Sequence, residues 1–333
     1  MKSGRRRGAL VRGGLALCGL AVAIVVCWRT ASAADLALLI GSWGLPAVVA
    51  LQLVQQLGCG CAWRRVLDGP RPSRWTFFRI RWIRASLAAL VPVSGVGAAL
   101  IAVQLLLRAG VPLDLAAASL TLDATLEMSA QIVFTILGLS LLLVLSPSLL
   151  LLKWSLATIV LSLVMVLAFI AAQRGGAFRL IEAAFERLAR RWPQLLPLTE
   201  ARLHDCLVRL HQRPQAMLAG GALHLGSWLL GASEIWVVLA ALKLGISPLK
   251  CVVIEAVSMT ARSAGFLIPG ALGVQEIGLI MAGQLVGLPA ETAILVAIVK
   301  RLRDVLIGVP GLLLWHWADA LGWPSQRRPE LAD

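Results

Sequence analysis

Acidic and basic side chains are concentrated in one hydrophobic stretch of the sequence, which runs from Leu267 to Trp315. The stretch is apolar enough to lie in a bilayer, yet it holds Glu276, Glu291, Lys300, Arg301, Arg303 and Asp304. Charged groups are costly at membrane depth, so they face the interior of a helix bundle or a wet cavity, where they pair with one another. Such groups can also bind a zwitterionic or anionic headgroup. We therefore predict a binding site in this stretch.

Two Pro/Gly breaks interrupt the same stretch. The first is Pro269-Gly270 with Gly273, and the second is the tripeptide 287–289. Proline removes a helical donor, and glycine permits backbone geometry that other residues avoid. Because lipid-exposed backbone must be helical, broken helix at membrane depth is tolerated only inside protein or beside water. The breaks therefore predict a re-entrant-like helical hairpin that lines a central cavity.

The second break places two of the charges at one level. Glu276 lies twelve residues before Leu288, and Arg301 lies thirteen residues after it. In an antiparallel hairpin both then lie about 18 Å from the turn, at a rise of ~1.5 Å per residue. Glu276 and Arg301 are thus predicted to form a coupled pair, which fits either a structural ion pair or a headgroup clamp. The predicted substrate-binding residues on this hairpin are Glu276, Arg301, Gln275, Lys300 and Arg303.

The composition defines the class of protein that must position these residues. Hydrophobic residues make up 59 % of the chain, and the mean hydropathy is +0.84. We predict an all-α polytopic integral membrane protein, a single transmembrane domain over residues 1–333, with about six full spans plus two broken hairpins. The net charge of +14 comes from basic residues between the apolar runs, so it indicates membrane topology and does not indicate a nucleic-acid partner.

The arginine-rich loops orient the chain. Residues 63–84 and 173–214 are predicted to be cytoplasmic, as are both termini, and the turn at 243–250 is predicted to be external. We interpret Arg79, Arg81 and Arg84 as an orientation signal at a helix start, with headgroup binding as the alternative. The 173–214 insert carries apolar residues at helical spacing over 178–188, which is typical of an amphipathic surface helix. The predicted location is the inner membrane, and cleavage after the Ala-Ser-Ala of residues 31–33 is left open.

A second broken region occupies residues 84–127. Its predicted breaks are Pro92, Gly95 and Gly97, followed by the Gly-Val-Pro of residues 110–112. It also carries Asp123 and Glu127, one turn apart on one helix face. These two acids complete the predicted substrate-binding set, and they could alternatively hold Mg²⁺ with a phosphate.

A shift of 177 residues superimposes this region on residues 261–304. Proline 92 then falls on Pro269, glycine 110 on Gly287, and Glu127 on Asp304. Three predicted spans separate the copies, 129–145, 149–172 and 217–242, and the last of them contains His224 and Glu234. An odd number of spans inverts the second copy, so we predict an inverted repeat of the kind found in transporters. Two unrelated kinked hairpins are the alternative.

The cysteines give neither a disulfide framework nor a metal site. Cys59 and Cys61 form a C-x-C pair, but the four histidines lie elsewhere in the sequence and complete no ligand set. We expect neither a metal nor another cofactor.

Three motifs carry a resemblance to a known family. The segments PGALGVQE (Pro269–Glu276), GLP (Gly287–Pro289) and VKRLRD (Val299–Asp304) resemble the transmembrane, flippase-like region of lysylphosphatidylglycerol synthases and its stand-alone relatives. The pairs Gln275-Glu276 and Lys300-Arg301, with VPGLLLW at Val309–Trp315, resemble the hopanoid-biosynthesis-associated branch most. Ala271 departs from the pattern, because family members often have a second glycine there.

The resemblance implies a role in handling a membrane lipid, with Pro269, Gly270, Gly273, Glu276 and Arg301 as the motif positions. The sequence has no aminoacyl-transfer domain after its membrane part, so synthase activity is not implied. The expected function is a lipid flippase or transporter, possible substrates being hopanoids or related amphiphilic lipids. The alternatives are an integral-membrane enzyme acting on a lipid headgroup and a scaffold of a lipid-biosynthesis complex.

The expected partners are membrane lipids and lipid-biosynthesis proteins. We expect no enzyme activity, because G-x-S-x-G, H-E-x-x-H and phosphate-loop motifs are missing.

Overall fold

A computed structural model describes residues 43–69, 71–91, 95–174, 200–264 and 273–318. These ranges contain helices and connecting turns but no β-strand. Several sequence predictions concern residues outside these ranges: the first apolar run with residues 31–33, the amphipathic segment 178–188, Pro92, Pro269 and Gly270. The predicted all-α class is confirmed for the described residues.

The helices are numbered here in chain order. They are α1 (Gly44–Val66), α2 (Arg74–Leu90), α3 (Gly95–Arg108), α4 (Leu113–Leu145), α5 (Leu149–Arg174), α6 (Glu200–His211), α7 (Pro214–Ala241), α8 (Pro248–Ala264), α9 (Val274–Leu285) and α10 (Ala290–His316). By length and composition, three of the described helices can cross a membrane: α1, α4 and α7. Large apolar side chains on their outer faces are exposed, for example Val54, Leu137 and Trp236, as expected of a lipid-facing surface.

Two helices are longer than the sequence predicts. Helix α4 runs unbroken for 33 residues, although we predicted a hairpin arm followed by a separate span from residue 129. Helix α10 runs for 27 residues and contains Pro310, although we predicted a new span from Val305. No Pro or Gly lies between residues 113 and 137, so nothing ends α4 there. In α10 the proline removes one backbone donor, and the helix continues past this exposed residue while Gly308 and Gly311 on either side pack closely against α2.

The prediction of helix breaks at Gly95 and Gly97 is wrong. Gly95 begins α3 and Gly97 lies within it, while the interruption is at Val91, whose backbone is extended (φ −106°, ψ 134°). Glycine in a helix costs only about 1 kcal/mol, and burial of Ala98 and Ala102 on the same helix offsets such a cost.

The two Gly-x-Pro turns have the same backbone conformation. Gly110 and Gly287 have φ values of +87° and +83°, in the left-handed region that favours glycine. Pro112 (φ −56°, ψ 150°) and Pro289 (φ −57°, ψ 144°) then precede the first residues of α4 and α10. The ends of α3 and α9, and the starts of α4 and α10, are also separated by the 177-residue shift.

Helices α1 and α7 pack against each other in opposite directions. A Cβ at Gly220 would lie 3.4 Å from Val66 Cγ1, one at Gly58 would lie 3.4 Å from Ser227 Oγ, and one at Gly231 would lie 3.5 Å from Gln55 Nε2. The residue numbers in these contacts increase along α7 while they decrease along α1, so the two helices are antiparallel. We call this interface the α1–α7 seam.

Helices α8 and α9 form a short antiparallel hairpin. A Cβ at Gly278 would lie 2.5 Å from the Ala261 Cβ, so glycine is required for this close approach. Near the C-terminal end of α8, Arg262 Nη1 donates to Gln275 Oε1 at 3.0 Å. With 17 and 12 residues, the two helices are about 25 and 18 Å long, less than the ~30 Å hydrocarbon core of a bilayer.

Candidate functional site

Most of the described charges buried in the bundle fall into two clusters. The α10 cluster consists of Lys300, Arg301, Arg303 and Asp304 of α10 with Glu234, Glu255, Arg262 and Glu276 of the neighbouring helices. The α4 cluster consists of Asp123 and Glu127 of α4 with Arg81, Arg84 and His224. The sequence placed Asp123 and Glu127 in one substrate-binding set with the hairpin residues, but the structure puts them in a separate cluster.

Helix α10 directs its cations to three different helices. Successive residues of a helix point about 100° apart, so a run of charges such as 300–304 surrounds the axis. Lys300 pairs with Glu255 of α8, Arg301 with Glu276 of α9, and Arg303 with Glu234 of α7. The α10 cluster therefore connects α10 to α7, α8 and α9.

The Arg303 and Lys300 pairs are almost completely buried. Glu234 and Glu255 are 1 % and 3 % exposed. Arg303 also donates to Asp304 Oδ1 at 2.7 Å and to Gln52 Oε1 of α1 at 3.3 Å. The second carboxylate oxygen of Glu234, Oε1, has no hydrogen-bond partner among the described residues. Buried ion pairs of this kind cost several kcal/mol of desolvation per ion, so they are weak evidence for stability.

Glu276 is positioned by the start of α9. Gly273 has a φ of +83°, and its backbone N–H donates to Glu276 Oε2 at 2.8 Å, which is half of a capping box. The other carboxylate oxygen accepts from Arg301 Nε. The contact between Glu276 and Arg301 that the hairpin geometry predicts is therefore present.

All five hairpin residues predicted for substrate binding lie in or beside the α10 cluster: Glu276, Arg301, Gln275, Lys300 and Arg303. The cluster holds four basic and four acidic side chains, so its charges balance. Such a cluster can exchange internal partners for the phosphate and the ammonium of a zwitterionic headgroup without leaving a net charge in the bundle.

The α4 cluster is held less tightly. Arg81 makes a two-point contact with Glu127, in which Nη1 donates to Oε2 at 2.9 Å. Arg84 lies farther from its acids, with Nη1 3.6 Å from Asp123 Oδ2 and Nη2 3.8 Å from Glu127 Oε2. His224 Nε2 is 3.0 Å from Asp123 Oδ1. Both carboxylates of the D-x-x-x-E pair thus face cations or an imidazole.

The structure corrects the interpretation of Arg81 and Arg84. The sequence treated them as orientation signals at a helix start, whereas Arg81 is 9 % exposed and both guanidiniums face the acids of α4. Their spacing of three residues places them on one face of α2. Arg79 does not share this face of α2 and is exposed. The spacing could have identified the two inward arginines, but a count of basic residues does not separate them from Arg79.

Besides Arg81 and Arg84, five members of the clusters were not among the predicted substrate-binding residues: His224, Glu234, Glu255, Arg262 and Asp304. His224 and Glu234 stand out in the sequence as polar residues of an apolar span, which was a usable signal. Glu255 and Arg262 lie in a segment of mixed polarity, so they gave no such signal in the sequence.

The α1–α7 seam connects the two clusters through polar groups. His224, Ser227 and Glu234 follow one another on one face of α7, at spacings of three and seven residues. Across the seam, Gln55 Nε2 donates to the Ser227 carbonyl, and Cys59 Sγ donates to Ser227 Oγ at 3.4 Å. His224 and Glu234 are ten residues apart, or about 15 Å along the helix.

A cavity of about 610 Å³ lies away from both clusters, between the start of α4 and α6. It is lined by Asp114, Asp205, Cys206, Val208 and Arg209. Desolvation raises the pKa of the Cys206 thiol, although Arg209 Nη2 lies 3.0 Å from its sulfur. Cys206 is therefore a neutral thiol at neutral pH and not a reactive thiolate.

The comparison with known proteins identifies the family. The family model described as "Lysylphosphatidylglycerol synthase TM region" matches residues 16–311, which include every member of both clusters. No curated protein and no solved structure matches the chain. Three described helices can cross a membrane, in agreement with the family description. The chain is thus a membrane protein related to lipid handling, and it belongs to the lysylphosphatidylglycerol synthase transmembrane-region family.

Proposed function

We propose that this chain is a flippase-like transporter that moves a lipid between the two leaflets of the inner membrane, with the lipid headgroup bound at the α10 cluster. Hopanoids and related amphiphilic lipids are the proposed substrates, because the motif residues Gln275-Glu276 and Lys300-Arg301 resemble the hopanoid-associated branch. The observation that carries the proposal is the α10 cluster, which holds balanced charges inside the bundle and uses the predicted residues.

The α8–α9 hairpin supports a binding role for this cluster. Both of its helices are too short to cross the hydrocarbon core, and the hairpin carries Glu255, Arg262 and Glu276 to α10. Half-helices that end inside the membrane are a common way to present polar groups to a substrate. Glu276 is the most accessible acid of the described ion pairs in this cluster, with a side chain 22 % exposed, so a headgroup can compete for Arg301 at this point.

Transport is favoured over the two alternatives by the chemistry of the α10 cluster. Its members are paired with one another, an arrangement that can bind and release a headgroup but that activates no nucleophile. A scaffold would gain nothing from burying eight charges, each with its desolvation cost.

An inverted repeat is part of the proposal. If α1–α4 correspond to α7–α10, each principal contact between two of these helices has a counterpart: α2 packs on α10 as α8 packs on α4, and α4 on α7 as α10 on α1. The equivalent helices α1 and α7 run antiparallel, as inversion requires. The repeated Gly-x-Pro turns add independent support.

A vesicle assay tests the proposal. The full chain would be reconstituted into vesicles of phosphatidylethanolamine and phosphatidylglycerol that carry a trace of acyl-chain-labelled fluorescent phosphatidylglycerol, and dithionite would quench the outer leaflet. We expect the protein to raise the fraction of probe that dithionite reaches, and Arg301→Gln to abolish this effect. The matched control is Arg79→Gln, which removes an exposed arginine outside both clusters.

Two results of the assay would count against the proposal. Full exchange by Arg301→Gln would remove the headgroup site from the α10 cluster. No exchange by the wild type, either of the phosphatidylglycerol probe or of a fluorescently labelled hopanoid, would contradict lipid transport itself.

A further inference from the structure

His224 and Asp123 form a buried pair that the proposed headgroup site does not use. They are 1 % and 0 % exposed, and the imidazole Nε2 lies 3.0 Å from Asp123 Oδ1. The imidazole Nδ1 and Asp123 Oδ2 both lack a hydrogen-bond partner among the described residues. Buried polar atoms are nearly always satisfied, so two unpaired atoms on one contacting pair require an explanation.

The titratable groups around His224 come from three other helices. Helix α4 contributes Asp123 and Glu127, α2 contributes Arg81 and Arg84, and α1 contributes the Cys59 thiol. The remaining helices that pack on α7 are α8 and α10, and their charges, Glu255 and Arg303, face α7 at Gly231 and Glu234. With a neutral imidazole, the two guanidiniums and two carboxylates of the α4 cluster balance.

We propose that His224 and Asp123 form a proton-binding site whose protonation drives the lipid transport cycle; the inference rests on the proposed function. In the neutral state Nε2–H donates to Asp123 Oδ1, so Nδ1 carries the free lone pair that accepts the proton. Histidine is the side chain whose ordinary protonation range includes neutral pH. The incoming proton adds one positive charge to a balanced, buried cluster, and the proton leaves from the same atom.

The geometry supplies two arrangements for the α4 cluster. Arg84 lies 3.6 Å and 3.8 Å from its two acids, beyond hydrogen-bond distance, so it can approach Asp123 when the imidazole is neutral. An imidazolium strengthens its own contact with Asp123 and repels Arg84. Proton binding therefore changes how strongly α2 is held to α4.

The α1–α7 seam connects this change to the headgroup site. His224 and Glu234 lie on one face of α7, about 15 Å apart, and Glu234 pairs with Arg303 of the α10 cluster. Any displacement of α7 at the α4 cluster is transmitted along one rigid helix to that pair. A proton and a headgroup thus act on the same helix from its two buried polar sites.

The test measures proton flux and lipid exchange in the same vesicles. The full chain would be reconstituted into phosphatidylethanolamine and phosphatidylglycerol vesicles that contain a pH-sensitive dye, and a membrane potential that draws protons inward would be imposed with valinomycin and a potassium gradient. The vesicle lipids supply headgroups on both sides. We expect proton flux above that of protein-free vesicles and a reduction of about tenfold or more in His224→Gln and Asp123→Asn. His211→Gln is the control, because His211 lies on α6, outside both clusters, with its imidazole hydrogen-bonded to the Leu207 carbonyl, and this variant should retain the flux.

The two measurements separate the two hypotheses. Lipid exchange without proton flux, or equal flux in the wild type and in a correctly inserted His224→Gln variant, would overturn the proton site and leave lipid transport standing. Proton flux without lipid exchange would contradict lipid transport and retain the proton site. Absence of both would contradict both. The wild-type flux needs no variant, so a His224→Gln protein that fails to insert still leaves a decisive result.

Discussion

The α10 and α4 clusters use the same residue types but satisfy them to different degrees. In the α10 cluster each acid contacts a basic partner from another helix or, for Asp304, from the same helix. In the α4 cluster Arg84 is outside hydrogen-bond distance of its acids, and Asp123 and His224 each leave an atom unpaired. The α10 cluster gives every acid a close cation, and Glu234 Oε1 is its one described buried atom without a hydrogen-bond partner, so it holds its arrangement until a competing ion enters. The less completely paired α4 cluster can rearrange when one proton binds. This difference matches the proposed roles, in which the α10 cluster binds the lipid headgroup and the α4 cluster couples transport to proton binding.

The largest expected effect tests how tightly the α10 cluster is paired. Arg303→Gln leaves Glu234 buried without a cation and should destabilise the protein by about 3–5 kcal/mol. Glu234→Gln should cost less, because Arg303 keeps Asp304 and Gln52 as partners. Thermal unfolding in detergent would measure both. The double variant should recover part of the loss, and strict additivity of the two single losses would refute direct pairing.

An intermediate effect on stability tests whether the two copies of the proposed inverted repeat are equivalent. Gly110→Ala and Gly287→Ala force a Cβ into the left-handed region, which costs about 1–2 kcal/mol. A Cβ at either position has no heavy atom within 4 Å, so steric overlap adds nothing and the two losses should be similar. Ala in place of Gly221, where the space is equally open but the residue is within α7, is the control and should not destabilise. Clearly unequal losses at residues 110 and 287 would weaken the repeat.

A smaller effect on stability, with a complete loss of transport, is expected at the pair that faces the α8–α9 hairpin. Glu276 is partly exposed, so Glu276→Gln and Arg301→Gln should each change stability by about 1 kcal/mol. Both should abolish lipid exchange in the vesicle assay, as should the double variant. Glu291→Gln is the control, because Glu291 is an exposed acid on the same helix as Arg301. A double variant that regains both stability and exchange would reduce the pair to a structural ion pair.

The topology prediction involves no change in stability. Cysteines placed at the exposed positions Ser73 and Ser247 should differ in their reaction with an impermeant maleimide, and only Ser247→Cys should react from outside. Equal labelling of the two positions would mean that both loops lie on the same side of the membrane. The inverted repeat requires opposite sides, so this result would contradict it.

The sequence predicted those features that depend on local chemistry. Gly110 and Gly287 define their turns by φ, and the spacing of Glu276 and Arg301 from one turn was enough to predict their contact. The inward direction of Arg81 could not be predicted from composition, because it depends on which face of α2 meets α4. The continuity of α4 was missed because a helix is longer than a bilayer only when something outside the membrane supports it. Glu255 and Arg262 were missed because their partners are more than 10 residues away in sequence and on other helices.

The length of α4 has a consequence for the depth of each cluster. Its 33 residues extend for about 50 Å, and the hydrocarbon core is only about 30 Å thick. The large apolar side chains that α4 exposes all lie between Val133 and Leu145, whereas the beginning of the helix packs against α6. The mismatch of about 20 Å is therefore relieved at the Leu113 end, which projects into the interfacial layer. Asp123 and Glu127 then lie close to one membrane surface, within reach of its protons, and a thinner or thicker bilayer should shift that access.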